Sequence, residues 1–105
     1  MKKINIDGTS FQNAYLDVSL QTLIDKFGNE NEIRDKSSNS KVTYEWAFEI
    51  GPRMIMTIYD YKNPPIDEDS SHRWHIGGKN LSPNMILNFL SEYGFKSEDI
   101  TIVTY

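Results

Sequence analysis

The chain has 105 residues, of which 38% are hydrophobic, 12% aromatic and 25% charged, which predicts one globular domain over 1–105 and excludes a second core or a disordered chain. Fifteen acidic against eleven basic residues leave a net charge of −4, which disfavours non-specific attraction to phosphate backbones, and nucleic acid is not an expected partner. There is no cysteine, hence no disulfide framework, thiolate nucleophile or cysteine-held zinc. The charged start Met1-Lys2-Lys3 leads into too short an apolar stretch for a secretion signal, and the expectation is a soluble intracellular protein without a membrane span.

Residues 3–18 alternate loosely, and Asp7-Gly8 between extended stretches reads as a hairpin turn, because both residues tolerate positive φ. A first helix follows. Ser19 is its cap, Val18 staples onto Leu23, and Leu20, Leu23, Ile24 and Phe27 recur at helical spacing before the stop at Gly28. Residues 29–40 are polar and aperiodic around a single Ile33, as in a mobile loop.

The clearest period of two follows: Val42, Tyr44, Trp46, Phe48 and Ile50 alternate with Thr43, Glu45, Ala47 and Glu49. Gly51-Pro52-Arg53 turns the chain into 54–62, whose apolar residues occupy both parities, as in a strand covered on both faces. Pro64 and Pro65 end that strand, and residues 63–72, with Asp67, Glu68 and Asp69, form a second loop. Extended structure resumes over Arg73-Trp74-His75-Ile76 and is closed by Gly77-Gly78. Ser82 caps a second helix with Pro83 at its first position, and Ile86, Phe89, Leu90 and Tyr93 form its buried stripe. Gly94 stops it, Phe95 folds back, and 100–105 make a last β-branched strand. The order ββαβββαβ predicts an α+β fold: a mostly antiparallel sheet of five or six strands with two helices packed on it.

Alternation brings Thr43, Glu45, Thr57, Tyr59, Tyr61, Arg73 and His75 to one face if the hairpin pairs around 51–53. Tyrosines offer stacking surfaces, Arg73 suits phosphate or carboxylate, and Glu45 suits a ribose hydroxyl or a base amine, together a nucleotide-sized site. The competing reading makes Tyr59 and Tyr61 core aromatics, with Glu45 and Arg73 a cross-strand ion pair. His72 and His75 beside the acidic loop would suit a metal only if His72 stayed outside the strand, since positions three apart face opposite ways; no metal or cofactor is expected. A small hydrolase would use His75 as base with Asp60 or Glu45 orienting it, but no local signature of a covalent nucleophile stands out, so no catalytic residue is assigned and the protein is not expected to be an enzyme. Gly77, Gly78 and Lys79, running into Ser82-Pro83, read either as an anion cradle at a helix start or as glycines that turn the chain.

Phe27-Gly28, Tyr44-Glu45-Trp46, Thr57-Ile58-Tyr59-Asp60-Tyr61-Lys62 and Trp74-His75-Ile76-Gly77-Gly78 together resemble small uncharacterised accessory proteins of tailed bacteriophages. The resemblance covers residues 16–78 and departs from the family in the long loop 29–40. It implies a phage protein of the host cytoplasm that counters host defence. One route is a non-catalytic sponge for a nucleotide-derived immune signal, with Tyr59, Tyr61, Arg73, Trp74 and His75 stacking on base and holding phosphate. A homo-oligomer is then expected, because so small a chain needs a second subunit to enclose a ligand. The other route is an inhibitor that covers a host defence protein with its acidic loops and exposed aromatics.

Overall fold

The computed structural model describes residues 8–28, 42–61 and 66–103. The elements run β1 (Ser10–Ser19), α1 (Leu20–Phe27), β2 (Val42–Gly51), β3 (Met54–Tyr61), β4 (Ser71–Lys79), α2 (Pro83–Glu92), a 3₁₀ turn (Ser97–Asp99) and β5 (Ile100–Ile102). The five strands form one antiparallel sheet in the order β2-β3-β4-β1-β5, so the chain is α+β, as its sequence predicts. The predicted strand around Ile4 and Ile6, the loop 29–40 and residues 62–65 lie outside the described residues; Gly8 has the positive φ expected of the first turn, 83°.

Helix boundaries follow local chemistry. Ser19 Oγ accepts from Thr22 N at 3.1 Å and opens α1, whose first turn is tied down further where Gln21 N donates to Glu68 O at 2.9 Å. Gly28, at φ 80°, ends it and donates to Ile24 O at 2.8 Å. Ser82 Oγ accepts from Met85 N ahead of α2, with Pro83 at the first position, where a missing N–H breaks no helical bond. Gly94 takes φ 87°, which lets Phe95 N return to Leu90 O at 3.1 Å and puts the Phe95 ring into the core.

Strand alternation then sorts the sheet into two faces. Leu16, Val18, Trp46, Met56, Ile58, Trp74 and Ile76 point to the helices and join Leu23, Ile86 and Leu90 in one hydrophobic core. Each such side chain fully buried contributes ~1.5–3 kcal/mol. Phe27 of α1, Phe48 of β2 and Phe89 of α2 meet with centroids 4.7 to 6.4 Å apart, so both helices cover the same face. β3 lies inside the sheet and is buried on both sides, Ile55 and Thr57 as well as Met56 and Ile58, which agrees with its apolar residues at both parities.

Both ends of β4 differ from the sequence reading, and β5 stops at Ile102, short of the expected strand. Pairing begins at Ser71, so His72 is a strand residue opposite Val18 and not part of a loop. The strand also runs on through Gly77 and Gly78 to Lys79, because both glycines are paired on two sides: Gly77 with Phe11 and Thr57, Gly78 with Ser10 and Met56. A Cβ on Gly78 would stand 2.4 Å from Ile55 O, and one on Gly77 would stand 2.7 Å from Thr57 Oγ1. The glycines are therefore sites of close strand approach. They neither turn the chain nor offer bare N–H groups to an anion.

Candidate functional site

The face away from the helices carries a row of one residue per strand. Register places Glu45 opposite Tyr59, Tyr59 opposite His75, His75 opposite Tyr15, and Tyr15 opposite Thr101. Tyr59 stacks on His75 with centroids 5.6 Å apart and planes at 26°; His75 meets Tyr15 edge-on at 5.2 Å, and Phe11 closes the group at 5.3 Å from both. These four rings join β3, β4 and β1. Tyr15, Tyr59 and His75 are half-buried, whereas Ala47 and Thr57 in the next row are about 1% exposed.

Of the residues singled out from the sequence, Glu45, Thr57, Tyr59, Arg73, His75 and Gly77 share this face by alternation. Lys79, opposite Ile55, lies two positions beyond Gly77. The side chains of Tyr61 and Thr43 lie outside the described residues. Trp74 and Gly78 belong to the other face. Trp74 is fully buried, meets Trp46 and donates from Nε1 to Val18 O at 2.9 Å, so its ring is a core element and not a stacking surface for a ligand.

Arg73 does not pair with Glu45, because β3 runs between their strands. Its partner is Asp17, directly opposite on β1: Nε donates to Oδ1 at 2.9 Å and Nη2 to Oδ2 at 3.0 Å. The guanidinium also lies over the Tyr15 ring, 4.7 Å from its centroid. Phe11, Tyr15 and Asp17 are thus members of the site that sequence reasoning missed. The alternation of Tyr15 and Asp17 with Leu16 and Val18 gave them a face, but no local signal says which strand lies beside β1.

Burial is the main reason that His75 has its pKa lowered, with His72 and Arg73 adding to it and Asp60 opposing. His72 sits on the helix face, its ring 4.8 Å from Trp74, and is lowered by burial against the pull of Asp60 and Asp17. The two imidazoles point to opposite faces and cannot share an ion; among the described residues no cluster of three metal-ligating side chains occurs. Asp60 is fully buried beneath the sheet, where its Oδ1 accepts from Tyr44 N at 2.8 Å across an irregular stretch of the β2–β3 ladder.

Two grooves open elsewhere. One of about 380 Å³ runs between the start of α1 and the 94–99 segment, past Asp17, Ser19, Lys26, Phe95 and Lys96; another of about 280 Å³ lies between Ile50, Met54, Met85 and Phe89. The first groove takes in Asp69 of the acidic loop and touches the site at Asp17, but none of the residues nominated from sequence for ligand contact lines either groove. The ring row is a surface on the sheet, and a ligand resting on it would need a second wall to be enclosed. Comparison with protein-family models, curated proteins and solved structures finds no match. Among the described residues no helix is long and apolar enough to cross a membrane.

Proposed function

We propose that the chain is a non-catalytic binding protein that sequesters a nucleotide-derived signal of host immunity, a phage-type sponge acting in the host cytoplasm. The observation that carries this reading is the row Tyr59, His75, Tyr15 and Phe11, whose rings offer a planar base its natural neighbours, with Glu45 next in the row to accept from an amine or a ribose hydroxyl. A neutral imidazole suits stacking better than a charged, hydrated one, and burial favours the neutral form of His75. Because the row is a surface, enclosure falls to a second copy of the chain, which makes the working form a homo-oligomer.

Melting the purified protein against cyclic dinucleotides and NAD-derived cyclic nucleotides tests this directly. A bound ligand at 100 times its Kd stabilises by ~2.7 kcal/mol, several degrees for a domain of this size. Absence of any shift across the panel rejects the sponge, and conversion of the ligand during incubation rejects the non-catalytic part.

A second reading, a protein inhibitor of a host defence protein, draws on the segment 66–70. Ile66 is 96% exposed beside Asp67, Glu68 and Asp69, and the turn is held because Asp67 accepts from Asp69 N, Ser70 N and Ser70 Oγ. On this reading Ile66→Ser abolishes anti-defence activity and leaves ligand-induced melting shifts unchanged.

A further inference from the structure

The Arg73 guanidinium has two edges that could each hold an anion. Asp17 occupies one through Nε and Nη2, at 2.9 and 3.0 Å, and the Tyr15 ring fixes the plane from 4.7 Å. The remaining edge, formed by Nη1 and the second hydrogen of Nη2, makes no hydrogen bond among the described residues. The side chain remains 54% exposed. Arginine presents five donors in a rigid fork, so one guanidinium can bridge two anions, one on each edge. Here the first is built into the chain, and the second belongs to a half-exposed side chain lying over the Tyr15 ring, which itself meets His75.

We propose that the open edge of Arg73 is a phosphate subsite, and that Asp17 and Tyr15 are the positioning residues that aim it. This extends the ring-face reading to the anionic part of its ligand: the base rests on the rings while a phosphate mono- or diester takes the two outward N–H groups. Without Asp17 the long side chain would sample many rotamers, and an anion would have to order it on binding. With Asp17 and Tyr15 in place that ordering is already done. Asp17 also offsets the Arg73 charge, so the subsite holds its anion through the directed N–H pair and not through net charge.

Titrating inorganic phosphate into the ¹⁵N-labelled full-length chain, and following the Nε–H resonances of Arg73 and the exposed Arg53 by NMR, tests the subsite separately from the rings. The expected result is a saturable shift at Arg73 and none at Arg53. In Asp17→Ala and in Tyr15→Leu the phosphate Kd rises at least threefold, and in Arg73→Lys saturation is lost, because an ammonium has no fork. AMP binds at least tenfold tighter than phosphate in the native chain, and Tyr59→Ala removes that gain without moving the phosphate Kd. No saturable shift at Arg73, an equal shift at Arg53, or a phosphate Kd unchanged or lowered in Asp17→Ala would overturn the proposal. Phosphate binding at Arg73 with AMP no tighter than phosphate supports the subsite and rejects the base-stacking reading instead.

Discussion

Trp46 and Trp74 meet edge to face in the core, with centroids 5.6 Å apart and planes at 81°, and each indole N–H donates to a backbone carbonyl. Trp74 reaches the buried Val18 O at 2.9 Å; Trp46 reaches the O of the exposed Gly28 at 3.0 Å, just past the end of α1. The pair therefore ties β2 and β4 to both flanks of the first helix. Trp74→Phe leaves a cavity and an unsatisfied buried carbonyl, and urea denaturation should read a loss of about 2–4 kcal/mol. Trp46→Phe should lose less, because water reaches the Gly28 carbonyl. An equal or reversed order would mean that the hydrogen bonds do not discriminate between the two sites.

Glycine replacements separate close approach from ordinary tolerance. A Cβ on Gly78 meets a backbone oxygen, Ile55 O, at 2.4 Å, and the strands must part to admit it. A Cβ on Gly51 meets the Met54 Sδ at 2.6 Å, the far part of a flexible side chain that can swing away. Gly78→Ala should destabilise by about 3 kcal/mol or fail to fold, whereas Gly51→Ala should stay within ~1 kcal/mol of the native chain. Thermal melts of the two variants side by side provide the measurement.

The cap on α1 is worth about 1 kcal/mol, since Ser19 Oγ accepts from Thr22 N at 3.1 Å and also pairs with Thr22 Oγ1 at 2.8 Å. Ser19→Ala should lose this amount in chemical denaturation, and Ser19→Asp should keep most of it. The Ser82 bond to Met85 N is longer, 3.4 Å, so Ser82→Ala should lose less.

Both histidines have folded pKa values below the ordinary 6.5 because burial disfavours their charged forms. Below pH 6.5 the unfolded chain takes up these protons before the folded chain does, so stability present above that pH is lost as pH falls through the lower folded values. Unfolding free energies measured at pH 7.5 and pH 5 should differ, with the protein weaker at pH 5. In a His72→Gln, His75→Gln double variant that difference should shrink. A double variant that keeps the whole difference would assign the pH dependence to other groups.

Much of this architecture is legible in the chain because the deciding interactions are local. Ser19, Gly28, Ser82, Pro83 and Gly94 mark the ends of both helices through bonds spanning a few residues, and the period of two assigns Trp46 and Phe48 to the helix side. The same parity brings Glu45, Tyr59 and His75 to one face. What parity cannot give is the neighbour of a strand. Arg73 finds Asp17 across 56 positions of sequence, and that pairing gives the site its Tyr15 and Phe11 rings as well as its carboxylate. Trp74 is the opposite case: parity already sets it with Ile76, on the face away from Arg73 and His75, and the core that buries it there removes it from the stacking role assigned by the resemblance.

The insertion of β1 between β4 and β5 also bears on how the protein comes into being. Among the described strands, β2, β3 and β4 pair with their sequence neighbours and can close as soon as each leaves the ribosome. The first described strand pairs only with segments made much later, so Asp17 and Tyr15 meet Arg73 only once β4 is made, and β5 closes on β1 after that. Folding should therefore be limited by this long closure, in the slow range expected when distant pairings dominate. A truncated nascent chain ending near Lys79 would hold the partners of the ring row without β5, the strand that flanks β1 on its other side.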